Sequence, residues 1–162
     1  MRILGVDPGL LRTGYGLIEA HGQERMKLIE AGVIRTPSED SISERVACIY
    51  DNLMDVIKEH RPSVLVLEKL YSHYKHPTTS ILMGHARGVI CLACGKSDVR
   101  LVNYPATRIK KAVTGNGRAA KHQVQKLVKE LLKLNMMPEP PDITDALAMA
   151  ISYVYIEGVG SK

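Results

Sequence analysis

Arg2-Ile-Leu-Gly-Val-Asp7-Pro-Gly9 is the stretch on which the fold turns. Residues 2–7 read as a buried strand, and Asp7-Pro8-Gly9 is a turn signal that ends it. Outward from there, Thr13 to Ala20 forms a second strand, His21-Gly-Gln23 a hairpin turn, and Met26 to Arg35 a third strand closed by Thr36-Pro37. Three sequential strands joined by short turns imply an antiparallel meander. Ser41 to Glu44 fits a capping box, and Val46, Ile49, Tyr50, Leu53, Val56 and Ile57 follow at helical spacing as far as His60, before Pro62. Ser63-Val-Leu-Val-Leu67 is apolar on both faces, as a central strand covered by helices should be, and Glu68 closes it.

The rest of the chain alternates in the same way. Lys69 to Thr79 reads as a polar loop, Ser80 to Cys94 as a helix, Val99 to Asn103 as a short strand, and Pro105 to Val113 as a short helix. Gly115-Asn-Gly-Arg118 is a flexible basic loop. Val124, Leu127, Val128, Leu131 and Leu132 mark an amphipathic helix whose other face carries Lys121, Lys126, Lys129 and Lys133. Pro138-Glu-Pro-Pro141 breaks the chain before a last helix, Asp142 to about Tyr155. The expectation is one α/β domain over residues 1–162, built on a mixed sheet.

At 162 residues, 45% apolar and 24% charged, the chain has the size and composition to bury a core. It has seven Tyr and neither Phe nor Trp, so aliphatic side chains and Met must fill that core. Met1 leads directly into a strand, and no apolar run reaches the roughly 20 residues of a membrane span. The expectation is a soluble, cytoplasmic protein. Three cysteines, Cys48, Cys91 and Cys94, argue against a disulfide framework. Cys91-Leu-Ala-Cys94 has metal-site spacing, but no second Cys or His pair completes a zinc site, and core packing is the favoured use.

The net charge of +5 is uneven: residues 69–135 hold 13 Lys and Arg against 2 Asp and Glu, while the blocks on either side are each −3. A block of +11 is either a set of solvated helix faces or a phosphate-binding surface. The flanking carboxylates favour the second. Asp7 ends the first strand and Glu68 the fourth; if these strands are neighbours, both acids leave the sheet at one edge. Asp142 and Asp145, three apart, share a face in the first turn of the last helix. Helix capping is the alternative use of that pair, and turn chemistry beside Pro8-Gly9 that of Asp7. Glu68, following Val-Leu-Val-Leu, needs a partner. Carboxylates held together repel unless a cation neutralises them, and oxygen-only donors suit Mg²⁺ or Mn²⁺. Two such ions roughly 3.5–4 Å apart activate water against a phosphodiester. A metal cradle beside a basic surface is the arrangement of a nuclease.

Ile3-Leu-Gly-Val-Asp7-Pro-Gly9, Thr13-Gly-Tyr-Gly16, Val66-Leu-Glu68, Gly84-His-Ala-Arg-Gly88, Val113-Thr-Gly-Asn-Gly117, Lys121-His-Gln-Val-Gln125 and Asp142-Ile-Thr-Asp145-Ala-Leu-Ala148 occur in an order that resembles the RuvC Holliday-junction resolvases, the crossover junction endodeoxyribonucleases. The resemblance runs from Arg2 to about Tyr153. It implies an RNase H-like fold, a five-stranded mixed sheet with its first three strands antiparallel and helices on both faces. It also implies a Mg²⁺-dependent homodimer, with Mn²⁺ as a substitute, that nicks two opposed strands of a four-way DNA junction and works with the RuvA and RuvB branch-migration proteins. The family's catalytic and metal-binding acids map onto Asp7, Glu68, Asp142 and Asp145, and its DNA contacts onto Tyr71, Arg87, Lys110 and Lys121.

The chain departs from the family pattern at Tyr71, where Phe is usual, at His85, where Gln is common, and at Ile143-Thr144, which replaces a smaller pair. Tyr71 is expected either to stack on a splayed base or to tuck against Leu70 and the sheet edge. Gly84 and Gly88 fit a dimer interface or close packing on the sheet. Three other classes compete: a fragment of an actin-like ATPase, a non-catalytic junction-binding protein, and an RNase H-like enzyme acting on RNA or hybrid duplexes. An actin-like ATPase needs a second lobe that 162 residues do not supply.

Overall fold

A computed structural model describes residues 1–70 and 77–160. Strands β1 (Arg2–Asp7), β2 (Arg12–Ala20) and β3 (Met26–Arg35) form the antiparallel meander. Strands β4 (Val64–Glu68) and β5 (Arg100–Tyr104) extend the sheet on the far side of β1, both parallel, and the order is β3-β2-β1-β4-β5. The mixed sheet with its first three strands antiparallel is thus the observed architecture. Among the described residues, five helices pack on its two faces: α1 (Ile42–His60), α2 (Pro77–Ser97), α3 (Ala106–Thr114), α4 (Lys121–Leu131) and α5 (Pro141–Glu157).

Local chemistry explains the boundaries. The Ser41 hydroxyl accepts from the Glu44 N–H while the Glu44 carboxylate accepts from the Ser41 N–H, so the capping box starts α1. Arg61, in the left-handed region at φ 48°, ends it, its N–H donating to the Ile57 carbonyl. Helix α2 begins at Pro77 rather than Ser80, so Pro77-Thr-Thr79 belongs to it and not to a polar loop. Proline is tolerated in a first turn, where its missing N–H has no helical partner to lose. The same logic starts α5 at Pro141. Lys133 lies beyond α4 at φ 53°, outside the lysine face of that helix.

Strand parity divides the core in two. Leu4, Val6, Leu17, Leu65 and Leu67 meet Ile49 and Leu53 of α1 and Ile90 of α2. Ile3, Ile18, Val64 and Val66 meet α3, α4 and α5 on the other face. Cys94 is buried in the first of these clusters, where loss of water pushes its thiol up to about 11. It is packing material, as its sequence context suggests. Helix α5 is buried almost throughout, with Ala146, Leu147, Ala150 and Ile151 against the centre of the sheet.

That close seat depends on three glycines. Gly5 and Gly16 are paired across β1 and β2, and Gly14 lies opposite Asp7. A Cβ on Gly5 would overlap the Ala146 carbonyl oxygen, one on Gly14 the Asp142 carbonyl oxygen, and one on Gly16 the Leu147 side chain. The α5 backbone therefore rests directly on the strand backbones, beside the end of β1.

Candidate active site

Val6 pairs with Leu67 across the parallel β1 and β4, so Asp7 and Glu68 end adjacent strands at the same edge. Both are two residues on from core positions, Gly5 and Val66, that face α5. With a two-residue strand period, their side chains share that face. Helix α5 crosses the glycines and brings Asp142 and Asp145 to the same edge. Asp142 lies in its first turn, but Asp145 is one turn further along because Pro141 opens the helix. Capping by the N-terminal dipole therefore does not account for Asp145.

Asp7, Glu68 and Asp145 line one cleft of about 280 Å³, together with Lys110 of α3 and Lys121 of α4. Burial pushes the Asp7 carboxyl up to about 7, and the charges of Asp145, Asp142 and Glu68 push in the same direction, with Lys121 opposing them. Glu68 is raised by burial and by Asp145, against Lys110. Lys121 Nζ donates to Asp145 Oδ2 at 2.6 Å, and this bond holds the ammonium above its ordinary range. The cleft thus sets three carboxylates against two lysines. Its donor set is oxygen alone, which fits a hard divalent cation. The four carboxylates act on one another through space, but no three of them bring donor atoms within 4.8 Å of one another. Among the described residues, the donor atoms found within 4.8 Å of one another belong to Glu30, Glu59 and His60 instead.

The expected DNA contacts divide. Lys110 and Lys121 line the cleft. Arg87 points inward: Nη1 donates to the Glu68 backbone oxygen at 2.7 Å and Nη2 to Asn103 Oδ1. Tyr71 lies outside the described residues. Gly84 and Gly88 are exposed with open space where a Cβ would be, so they do not serve packing against the sheet.

Two features escaped the sequence reading. The first is the Lys121–Asp145 ion pair, which joins α4 to α5 across 24 residues. The second is on the opposite face, where Tyr15 donates to Glu30 Oε1 at 2.7 Å and His60 Nε2 lies 2.5 Å from Glu30 Oε2. Period-two alternation in Gly14-Tyr15-Gly16 signals that Tyr15 faces away from α5, but nothing in the sequence pairs it with Glu30 and His60.

Residues 3–153 match the family described as crossover junction endodeoxyribonuclease RuvC. A protein of that name from Rhodopirellula baltica is 48% identical over 154 residues, 95% of this chain and 86% of the relative. One from Caldicellulosiruptor saccharolyticus is 41% identical over 95% of this chain and 92% of its own. Among solved structures, Thermus thermophilus RuvC in complex with a Holliday junction substrate superposes with a TM-score of 0.92 at 27% identity, covering 99% of this chain and 97% of that one. The yeast mitochondrial resolvase Ydc2, at 10% identity and a TM-score of 0.65, shares the fold.

Proposed function

The chain belongs to the RuvC family of crossover junction endodeoxyribonucleases, and from that premise we propose that it resolves Holliday junctions by hydrolysing one phosphodiester on each of two opposed strands. The observation that carries this reading is the meeting of acids from three separate elements, β1, β4 and α5, in one cleft with Lys110 and Lys121. A non-catalytic junction binder gains nothing from carboxylates aimed at phosphate. No described helix is long and apolar enough to cross a membrane, and we assign the enzyme to the cytoplasm, as one RNase H-like domain over residues 1–162.

Asp7, Glu68, Asp142 and Asp145 would hold Mg²⁺, with Mn²⁺ as a substitute, two ions to a site. When bound, such ions supply charge stabilisation to the phosphodiester oxygens and acidify a coordinated water. The chain's own contribution begins with Asp7, which interacts with all three other acids and would hold the cation from the end of β1. Glu68 approaches from β4, and Asp145 and Asp142 from α5. Lys110 and Lys121 bring positive charge to the strand being cut, and in-line attack by water leaves 5′-phosphate and 3′-hydroxyl ends. Tyr71, three residues after Glu68, is proposed to stack on a splayed base.

Paired nicks call for two copies of the cleft, and the outer face of α2 supports a homodimer. Ile81 and Leu92, 62% and 51% exposed, flank the open Gly84 and Gly88 there. RuvA and RuvB are the partners we assign to branch migration beside it. The test is single-turnover cleavage of a synthetic four-way junction, with and without divalent ion, beside linear duplex and RNA–DNA hybrid. Paired nicks in the junction alone, lost in chelator, are expected. Equal cleavage of hybrid, or none of the junction, would sink the assignment.

A further inference from the structure

We infer that Arg87 is a positioning residue for Glu68, setting the direction from which that carboxylate enters the cleft. This rests on the reading of Glu68 as a catalytic acid. Glu68 is the last residue of β4, and Lys69 and Leu70 after it are exposed. The peptide joining Glu68 to Lys69 is nevertheless pinned on both sides. Its N–H donates to the Tyr104 carbonyl at 2.8 Å, continuing the ladder with β5. Its C=O accepts from Arg87 Nη1 at 2.7 Å. Fixing that peptide plane fixes ψ of Glu68 and hence the outlook of its Cα–Cβ bond.

Arg87 is itself anchored. Its neighbour Ala86 and Ile90 one turn on are buried in the core beneath α2, and its second nitrogen donates to Asn103 of β5. One planar guanidinium therefore ties α2 to the ends of two strands, a geometry that a lysine ammonium does not reproduce. Its effect runs through the backbone. Lys110, not Arg87, is the cation whose charge bears on the Glu68 carboxylate. This differs from the phosphate contact that the Gly-His-Ala-Arg-Gly motif implies, and the two roles separate experimentally.

Arg87→Lys keeps the charge and loses the fork. At saturating junction its cleavage rate should fall roughly 10- to 100-fold, the scale of a misplaced reacting group. Junction affinity measured in chelator should stay within about twofold, with the same salt dependence, because no phosphate contact is lost. Asn103→Ala should slow cleavage about fivefold, the scale of one lost hydrogen bond, and should add little to Arg87→Lys. If Arg87→Lys does not accumulate as folded protein, Asn103→Ala decides the matter, and an unchanged rate there overturns the inference. Weakened junction affinity with an unchanged rate at saturation makes Arg87 a phosphate contact and also overturns it. Glu68→Gln run alongside tells the failures apart. If Glu68→Gln is inactive while Arg87→Lys cuts normally, the positioning role alone falls. If Glu68→Gln cuts normally, the reading of Glu68 falls with it.

Discussion

The two faces of the sheet treat their carboxylates in opposite ways. Toward α1, Glu30 receives a hydrogen bond from Tyr15 and pairs with His60, and these donors hold its carboxyl below the ordinary range. The His60 carbonyl in turn accepts from Arg2 Nη1 at 2.8 Å, tying the end of α1 to β1. Toward α5, burial and three like charges push Asp7 up to about 7, and one ammonium opposes them. Two carboxylates on the strands that flank β2 in one sheet are thus shifted in opposite directions. A satisfied carboxylate joins elements together; a frustrated one stores a demand for positive charge, which is what a cation and a phosphate strand would exploit.

The comparison breaks most visibly at Asp7. Asp7→Asn should lower single-turnover junction cleavage by at least about 1,000-fold, the scale of losing a group that acts on the reacting atoms. The same change should make the metal-free protein more stable above neutral pH. A carboxyl raised from 3.8 to about 7 by folding binds more protons folded than unfolded across that interval, so stability falls as pH rises through it. At about 1.4 kcal/mol for each pH unit, the upper bound is about 4 kcal/mol. Melting in chelator at pH 5 and pH 8 should show a decline for the wild type that is shallower for Asp7→Asn. A parallel decline in both proteins would count against a frustrated Asp7.

Gly5→Ala tests the seat of the frustrated side. Its Cβ overlaps the Ala146 carbonyl, so α5 must move, with a loss of about 2–4 kcal/mol. Cleavage should drop roughly 100-fold even where the variant remains folded, because Asp145 moves with the helix. Thermal melting and rate measurements on the same preparation check both.

On the satisfied side the effects should reverse in kind. Glu30→Gln weakens the pairing with His60 and should cost about 1 kcal/mol while leaving junction cleavage within about twofold. Because folding lowers the Glu30 carboxyl, its stabilisation is present above its ordinary 4.5 and is lost as pH falls below that value. The difference in melting between wild type and variant should therefore shrink in acid. A cleavage defect as large as that of Gly5→Ala would erase the distinction between the faces.

The smallest effect belongs to Lys110→Ala. If Lys110 neutralises one phosphate, the slope of log affinity against log salt should become shallower by about one. An unchanged slope would confine Lys110 to balancing Glu68 within the cleft.

Much of this was legible in the residues. The third strand reads off the sequence to its observed ends, Met26 and Arg35, and the Ser41–Glu44 box marks the start of α1. Asp7 and Glu68 stand out because each follows an apolar run at a strand end, where a charge is costly without a purpose. The start of α2 was harder, since Pro77-Thr-Thr-Ser80 is as good a loop as a first helical turn until Ala86 and Ile90 dock on the sheet. Arg87 shows the same limit at a single residue. Its motif implies a phosphate contact, but its partners lie 16 and 19 residues away on two strands, and only packing brings them within reach.

The sequence alone determined what is periodic or local: the strand alternation that sends Gly5 and Asp7 to one face and Val6 to the other, the caps, the charge blocks and the order of the motifs. These depend on neighbours within a few residues, where backbone geometry and burial act directly. The tertiary structure alone decided which charges meet. Glu30 found His60 and a tyrosine, Asp145 found Lys121, and Asp7 found three other acids, all across separations for which the chain has no local rule. Electrostatic interaction depends on distance through space and on the water excluded between groups, and both are set only when the helices settle on the sheet.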